Sequence, residues 1–204
     1  MLSIILASAS PSRKRLLEAA GVNAQIVVSD VDEEDPIYLE MPPRDMVLAL
    51  AIVKAHTVRK IVSEAGLIIA CDSTFEFEGQ NLGKPLLPEV ARNRARMVSG
   101  KSGLLHTGHC IIDTDQGIEI SDIATTKVTF SKLTDEEIAD YVDSGEPLNV
   151  AGGFTLDGLS SPFIESIEGD FSNVIGLSLP LLRKMITQIG YSWHEIKHQA
   201  IGAH

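Results

Sequence analysis

The segment Ser8-Ala9-Ser10-Pro11-Ser12-Arg13-Lys14-Arg15-Leu16-Leu17 places hydroxyls, a helix-starting proline and a guanidinium within a few residues of one another. Those residue types suit an anion cradle. Free backbone N–H groups at a helix start, the positive end of the helix dipole and the charge of Arg13 all favour a phosphate. Ser8, Ser10 or Ser12 can cap the first turn, and Pro11 fits its opening position. The same string also describes an ordinary capped helix with solvated basic side chains, so by itself the segment leaves both readings open. Asp30, Asp32, Glu33, Glu34 and Asp35 follow an apolar run and can hold a hard cation such as Mg²⁺ through oxygen, although a solvated acidic turn has the same composition. Asp72 ends the apolar run 66–71, where residues of an α/β sheet often act, and it is the first choice among the carboxylates; the plain alternative is a turn cap. Lys84 stands between Gly83 and Pro85 in a stiff turn, and Lys54 lies within an apolar stretch, from which it either reaches into a cleft or snorkels to water.

These residues need elements to carry them. Ile4-Ile5-Leu6 reads as a short buried strand feeding a helix that ends near Gly21, and Gln25 to Ser29 as a second strand. The spacing of Met46, Val47, Leu50, Val53 and Val58 predicts a helix from about Pro43 to Glu64, stopped by Gly66. A buried strand from Gly66 to Phe75 follows, then an alternating hairpin arm that turns at Gly79. A helix is predicted from Pro88 to Ser99. Its Arg92, Arg94 and Arg96 occupy alternate positions that do not share a face, so they read mainly as solvated surface rather than one basic patch. Leu104 to Ile112 and Ala124 to Phe130 read as paired strands joined by a turn at Asp113 to Gly117. His106 and His109 then point to opposite faces and do not share a metal. Thr134-Asp135-Glu136-Glu137 is a capping box opening a helix to about Asp143, and the glycines of 151–158 allow backbone to approach a flat ligand closely. Phe163 to Ile167 is a further strand and Leu179 to Ile189 the last helix, with no clear periodicity beyond Tyr191. Alternating strands and helices followed by antiparallel arms predict a mixed sheet in two lobes with a cleft.

Composition narrows the partners. A chain of 204 residues, 44% hydrophobic and 22% charged, is long enough to bury a substantial core. A formal charge of -11 argues against a general nucleic-acid or membrane surface, so any anion is small and held locally. Cys71 and Cys110 stand in unrelated contexts and suggest neither a disulfide framework nor a zinc site, which fits a cytoplasmic chain. No export signal or bilayer-length apolar run is expected.

Taken in order, Ser8 to Leu17, Asp32-Glu33, Lys54, Cys71-Asp72-Ser73, Gly83-Lys84-Pro85, His106-Thr107-Gly108, Gly145-Glu146-Pro147, Ala151-Gly152 and Asn173-Val174-Ile175-Gly176-Leu177 resemble the Maf family of nucleoside triphosphate pyrophosphatases. The resemblance implies an α/β fold with a mixed twisted sheet in two lobes around a central cleft, shared with the ITPase-like house-cleaning enzymes, as one domain over 1–204. It implies hydrolysis of nucleoside triphosphates, modified ones included, to the monophosphate and pyrophosphate with a divalent cation, Mg²⁺ or Mn²⁺. By the same resemblance Asp72 is the general base, Glu33 and Asp72 hold the metal, and Arg13 and Lys84 clamp phosphate. Ser8, Ser10, Lys54, Ser73 and Asp157 complete the substrate site, and a homodimer is a further implication.

The departures from the family pattern bear on substrate. Ser12-Arg13 stands where two arginines are usual, Arg15 where glutamate is usual, and Asn149-Val150 where an Asp-Lys pair is usual. Asp157 replaces a glutamine of the pyrimidine-preferring members. A carboxylate only accepts hydrogen bonds, which suits the N1–H and amino edge of guanine or 7-methylguanine, so a weakened pyrimidine preference is expected. The altered positions also keep a second reading in play, a nucleotide-binding regulator of cell division with little turnover.

Overall fold

Residues 2–63 and 65–198 are described by the computed structural model. Its seven strands are β1 (Ser3–Leu6), β2 (Gln25–Ile26), β3 (Gly66–Phe77), β4 (Gln80–Leu82), β5 (Ser102–Asp113), β6 (Ile118–Phe130) and β7 (Ile164–Glu168). They form one sheet in the order β2-β1-β3-β5-β6-β7, with β4 paired to β3. β1 runs parallel to β2 and β3, and every other pairing is antiparallel, so the sheet is mixed as expected. β3 and β5 are almost continuously buried, which is why their sequences read as unbroken apolar runs.

The helices are α1 (Pro11–Ala19), α2 (Pro36–Leu39), α3 (Pro43–Ile61), α4 (Pro88–Val98), α5 (Asp135–Asp143), α6 (Phe171–Ile175), α7 (Leu179–Gln188) and α8 (Trp193–His198). Leu16 and Leu17 of α1, with Leu182, Met185 and Ile186 of α7, pack on one face of β1 and β3. Ala51, Ala55 and Val58 of α3 pack on the other. The far half of the sheet has its own core, where the rings of Phe75, Phe130 and Phe154 meet edge to face at 4.9–5.8 Å. Two packing centres on one long sheet give the two lobes.

The cleft between them follows from strand register. β1 covers the edge of β3 only from Gly66 to Ile69, and β4 covers it from Phe75 to Phe77. Among the described residues, 70–74 therefore have no strand on that side, and Asp72 stands in the gap.

Several boundaries differ from the sequence reading. β6 starts at Ile118 rather than Ala124, because Ser121 and Asp122 continue the ladder opposite Cys110 and His109 instead of turning. β2 is confined to Gln25–Ile26, and Val28 beyond it is exposed. α3 ends at Ile61, where Val62 turns extended, and the predicted end at Glu64 lies outside the described residues. α2, α6 and α8 were not expected; Asp35 caps α2 by accepting from the Ile37 N–H at 3.0 Å. The capping box at Thr134 and Glu137 is present. No helix among the described residues is long and apolar enough to cross a membrane.

Candidate functional site

Ser8, Ser10, Arg13, Glu33, Lys54, Asp72, Ser73, Lys84 and Asp157 all line one cleft of about 690 Å³, a size suited to a small ligand. Six different segments of the chain deliver them. At the floor, Lys54 Nζ lies 2.6 Å from Asp72 Oδ1 and 2.6 Å from Glu33 Oε1. Lys54 is 5% exposed, so it reaches inward and does not snorkel. Helical spacing explains this, since Val47, Leu50, Ala51, Lys54 and Val58 share the buried face of α3. Gly108 allows α3 to sit that close: a Cβ there would lie 2.2 Å from the Val47 carbonyl.

The two carboxylates differ electrostatically. Burial pushes Glu33 up, but Lys54 and Lys84 outweigh it and bring the group down to about 2. Lys84 Nζ lies 3.2 Å from Glu33 Oε2, across the cleft from its own turn. That turn is rigid: Leu86, after Pro85, holds left-handed backbone with φ 62° and donates its N–H to the Leu148 carbonyl at 2.9 Å. For Asp72 burial prevails over Lys54 and Arg13, and its pKa is raised. Glu33 is thus a fixed anion, while Asp72 is a carboxylate with enhanced affinity for a proton.

Arg13 is buried and holds the protein together more than it faces the cleft. Its Nε donates to the Gly176 carbonyl at 2.7 Å, its Nη1 to Ser8 Oγ at 3.1 Å and the Cys71 carbonyl at 2.8 Å, and its Nη2 to Ser73 Oγ at 2.9 Å. Four of the five N–H donors of a guanidinium are therefore taken. Ser10 caps α1 by accepting from the Arg13 N–H at 3.4 Å, and Ser8 Oγ accepts from the Ser10 N–H at 3.2 Å. The start of α1 is capped by Ser10 as its sequence suggests, and Arg13 rivets it to β3.

His109 supports this arrangement from beneath. Its Nδ1 donates to the Thr107 carbonyl at 3.0 Å, and its Nε2 accepts from the Ser178 N–H at 2.9 Å. Burial holds it neutral, down to about 4. His106, on the other face of β5, meets Thr125 Oγ1 at 2.9 Å and Glu76 Oε2 at 3.0 Å, so the two histidines are apart as the spacing required. Burial pushes both cysteine thiols up to about 12, which leaves Cys71 an inert neighbour of Asp72.

Two features depart from the sequence reading. Asp157 is not a free acceptor: Arg15 Nη2 lies 3.3 Å from its Oδ2, joining α1 to the far lobe at the cleft mouth through two of the unusual residues. Arg94 is not solvated surface. Arg92 pairs with Asp143 at 3.2 Å and Arg96 with Asp135 at 2.9 Å, tying α4 to α5, but Arg94 lines the cleft and donates to the Gly83 carbonyl at 2.5 Å. The signal was available, because positions 91, 94 and 98 share the inner face of a helix. Glu146, not picked out as a site residue, anchors the wall of the far lobe: Oε1 accepts from Thr155 Oγ1 at 2.5 Å and from the Leu159 N–H at 2.9 Å.

Among the described residues no group of three His, Cys, Asp or Glu side chains could hold a metal ion. The pair of carboxylates, Asp72 and Glu33, still fits Mg²⁺ or Mn²⁺, since such ions take one or two carboxylates and complete their shell with water and phosphate oxygens.

Known proteins resemble this chain in fold and in sequence. A solved structure of the Staphylococcus aureus Ham1 protein superposes with a TM-score of 0.50 at 12% identity, covering 92% of this chain and 99% of that one, and so shares the fold. The nucleoside triphosphate pyrophosphatase of Streptomyces coelicolor is 50% identical over 188 residues, 92% of this chain and 90% of its own. That of Thermosynechococcus vestitus is 42% identical over 199 residues, 98% of this chain and all of its own. The description "Maf-like protein" matches residues 3–189, which hold the cleft and both lobes, and the chain belongs to that family.

Proposed function

We propose that the protein hydrolyses nucleoside triphosphates at the α–β anhydride, giving the monophosphate and pyrophosphate. The observation that carries this is Asp72: a buried carboxylate of raised pKa, bonded to Lys54, in a cleft whose walls bring Lys84, Arg13 and Arg94 toward one space. Relatives at 42–50% identity bear the name nucleoside triphosphate pyrophosphatase, which supports the same reading.

Phosphoryl transfer asks mainly for neutralised charge and an aligned nucleophile. Lys84 and the start of α1 receive the phosphates. Asp72 orients a water and takes its proton as the water oxygen bonds to the α-phosphorus, the bond from that phosphorus to the bridging oxygen breaks, and pyrophosphate leaves. Lys54 keeps Asp72 and Glu33 in place, and its charge offsets negative charge that develops on the phosphate. Glu33 and Asp72 would hold a divalent cation, which when bound supplies further neutralisation of phosphate charge. Thr155, Asp157 and Phe154 form the wall for the base.

The test is product analysis by phosphorus NMR after incubation with Mg²⁺ and a panel of normal and modified nucleoside triphosphates. Monophosphate plus pyrophosphate is expected. Diphosphate plus orthophosphate, or no turnover, would overturn the reading.

A further inference from the structure

Four cations line the cleft, and three are already engaged. Lys54 bridges Asp72 and Glu33, and Lys84 meets Glu33. Arg13 spends four donors on protein oxygens. Arg94 differs from all of them: among the described residues its one hydrogen bond is to the Gly83 carbonyl, and it pairs with no carboxylate. We propose that Arg94 is the guanidinium that binds the phosphate chain of the substrate, a specificity-determining residue for polyphosphate. This rests on the pyrophosphatase reading.

The placement supports the role. Gly83 precedes Lys84, so the bond fixes Arg94 beside the second cation of the same wall. The Gly83 carbonyl also accepts from the Gly152 N–H at 3.3 Å, which locks the guanidinium to the rigid backbone of the far lobe. One donor is spent on this anchor and four remain for a ligand. Partial burial weakens the hydration that would otherwise compete for them, and burial lowers the pKa of Arg94 without discharging it. An unmatched, anchored and partly desolvated guanidinium is suited to bidentate contact with phosphate oxygens. The arginines at 92 and 96 lack this because Asp143 and Asp135 neutralise them.

The experiment measures binding of inorganic triphosphate by calorimetry, and KM and kcat with a nucleoside triphosphate, for wild type, Arg94→Gln and Arg94→Met. Glutamine keeps a donor for the Gly83 carbonyl and removes the charge. Arg94→Gln is expected to weaken inorganic triphosphate and raise KM by roughly ten- to hundredfold, the loss of a charged hydrogen bond, with kcat and melting temperature little changed. Wild-type affinity in Arg94→Gln with loss only in Arg94→Met would assign Arg94 to positioning the Lys84 turn and overturn the proposal. So would a KM effect that varies with the base while inorganic triphosphate binds normally. The calorimetric ratio is read without turnover, so it is independent of whether the wild-type products support the pyrophosphatase reading.

Discussion

At the scale of single residues, Asp72 and Lys54 set the chemistry and its pH dependence. Asp72→Asn removes the proton acceptor but keeps the shape, so turnover should fall on the order of a thousandfold while nucleotide affinity is retained; titration of a fluorescent nucleotide beside a rate assay checks both. Asp72 must be ionised to act, and its pKa is raised, so kcat/KM should fall with acid at a pH above the ordinary carboxylate value. Lys54 pulls that pKa down; Lys54→Met should therefore move the acid limb to higher pH, and an unmoved limb would argue that another group controls it. The Arg15–Asp157 pair is exposed and worth little to stability, about 0.5 kcal/mol or less. Its removal should instead be felt in substrate ranking. Arg15→Ala frees Asp157 to accept from a guanine edge, so KM for guanine nucleotides should fall relative to uracil and thymine nucleotides, whereas parallel changes across the panel would remove Asp157 from base recognition.

At the scale of elements, the loop before α7 carries the Gly176 carbonyl that holds Arg13, and His109 pins that loop through the Ser178 N–H. The unfolded chain protonates this histidine near 6.5 and the folded chain only near 4, chiefly because burial disfavours the charge, with the Thr107 carbonyl opposing that, Arg13 adding to it, and Asp122 and Asp170 favouring the charge. The unfolded state thus binds more protons below 6.5, so this contribution is fully present above that pH and lost as pH falls toward 4, roughly 3 kcal/mol in all. Urea unfolding at pH 7 and pH 4 should show the difference shrink by about that amount in His109→Gln. None of this was legible from the local pattern, because the partner of His109 lies 69 residues away. What was legible is what local physics decides: Pro11 and Ser10 opening α1, the capping box of α5, and the apolar runs of β1, β3 and β5. Strand order and the length of β6 depend on which strands pair, and the solvent-facing alternation of 118–123 hid the start of β6. The candidate site residues that a family motif marked line one cleft. Arg94 has no such motif, and only the helical face it shares with Ala91 and Val98 places it in the cleft.

At the scale of the whole molecule, a chain of net charge -11 must attract a polyanion. The fold resolves this by distance. Asp30, Glu33, Glu34, Asp72 and Asp157 line the cleft beside Lys54, Lys84, Arg13 and Arg94, where the edge of β3 is left unpaired between β1 and β4, and the other acidic side chains among the described residues lie outside it. At low salt the screening length is about 30 Å, comparable to the molecule, so an approaching nucleotide senses the whole negative surface; at 0.1 M it is about 10 Å and only the cleft is felt. Contacts inside the cleft, at a few ångströms and partly desolvated, are screened much less. With free Mg²⁺ held constant, kcat/KM should therefore rise as monovalent salt goes from about 0.01 to 0.1 M, opposite to an enzyme with a basic surface, and decline only at higher salt as the cleft cations are screened in turn. Arg94→Gln should keep the initial rise, which belongs to the distant charges, and flatten the later fall, which belongs to the cleft. A rate that falls from the lowest salt onward would mean that the local cations already govern approach, and that the acidic surface plays no part in it.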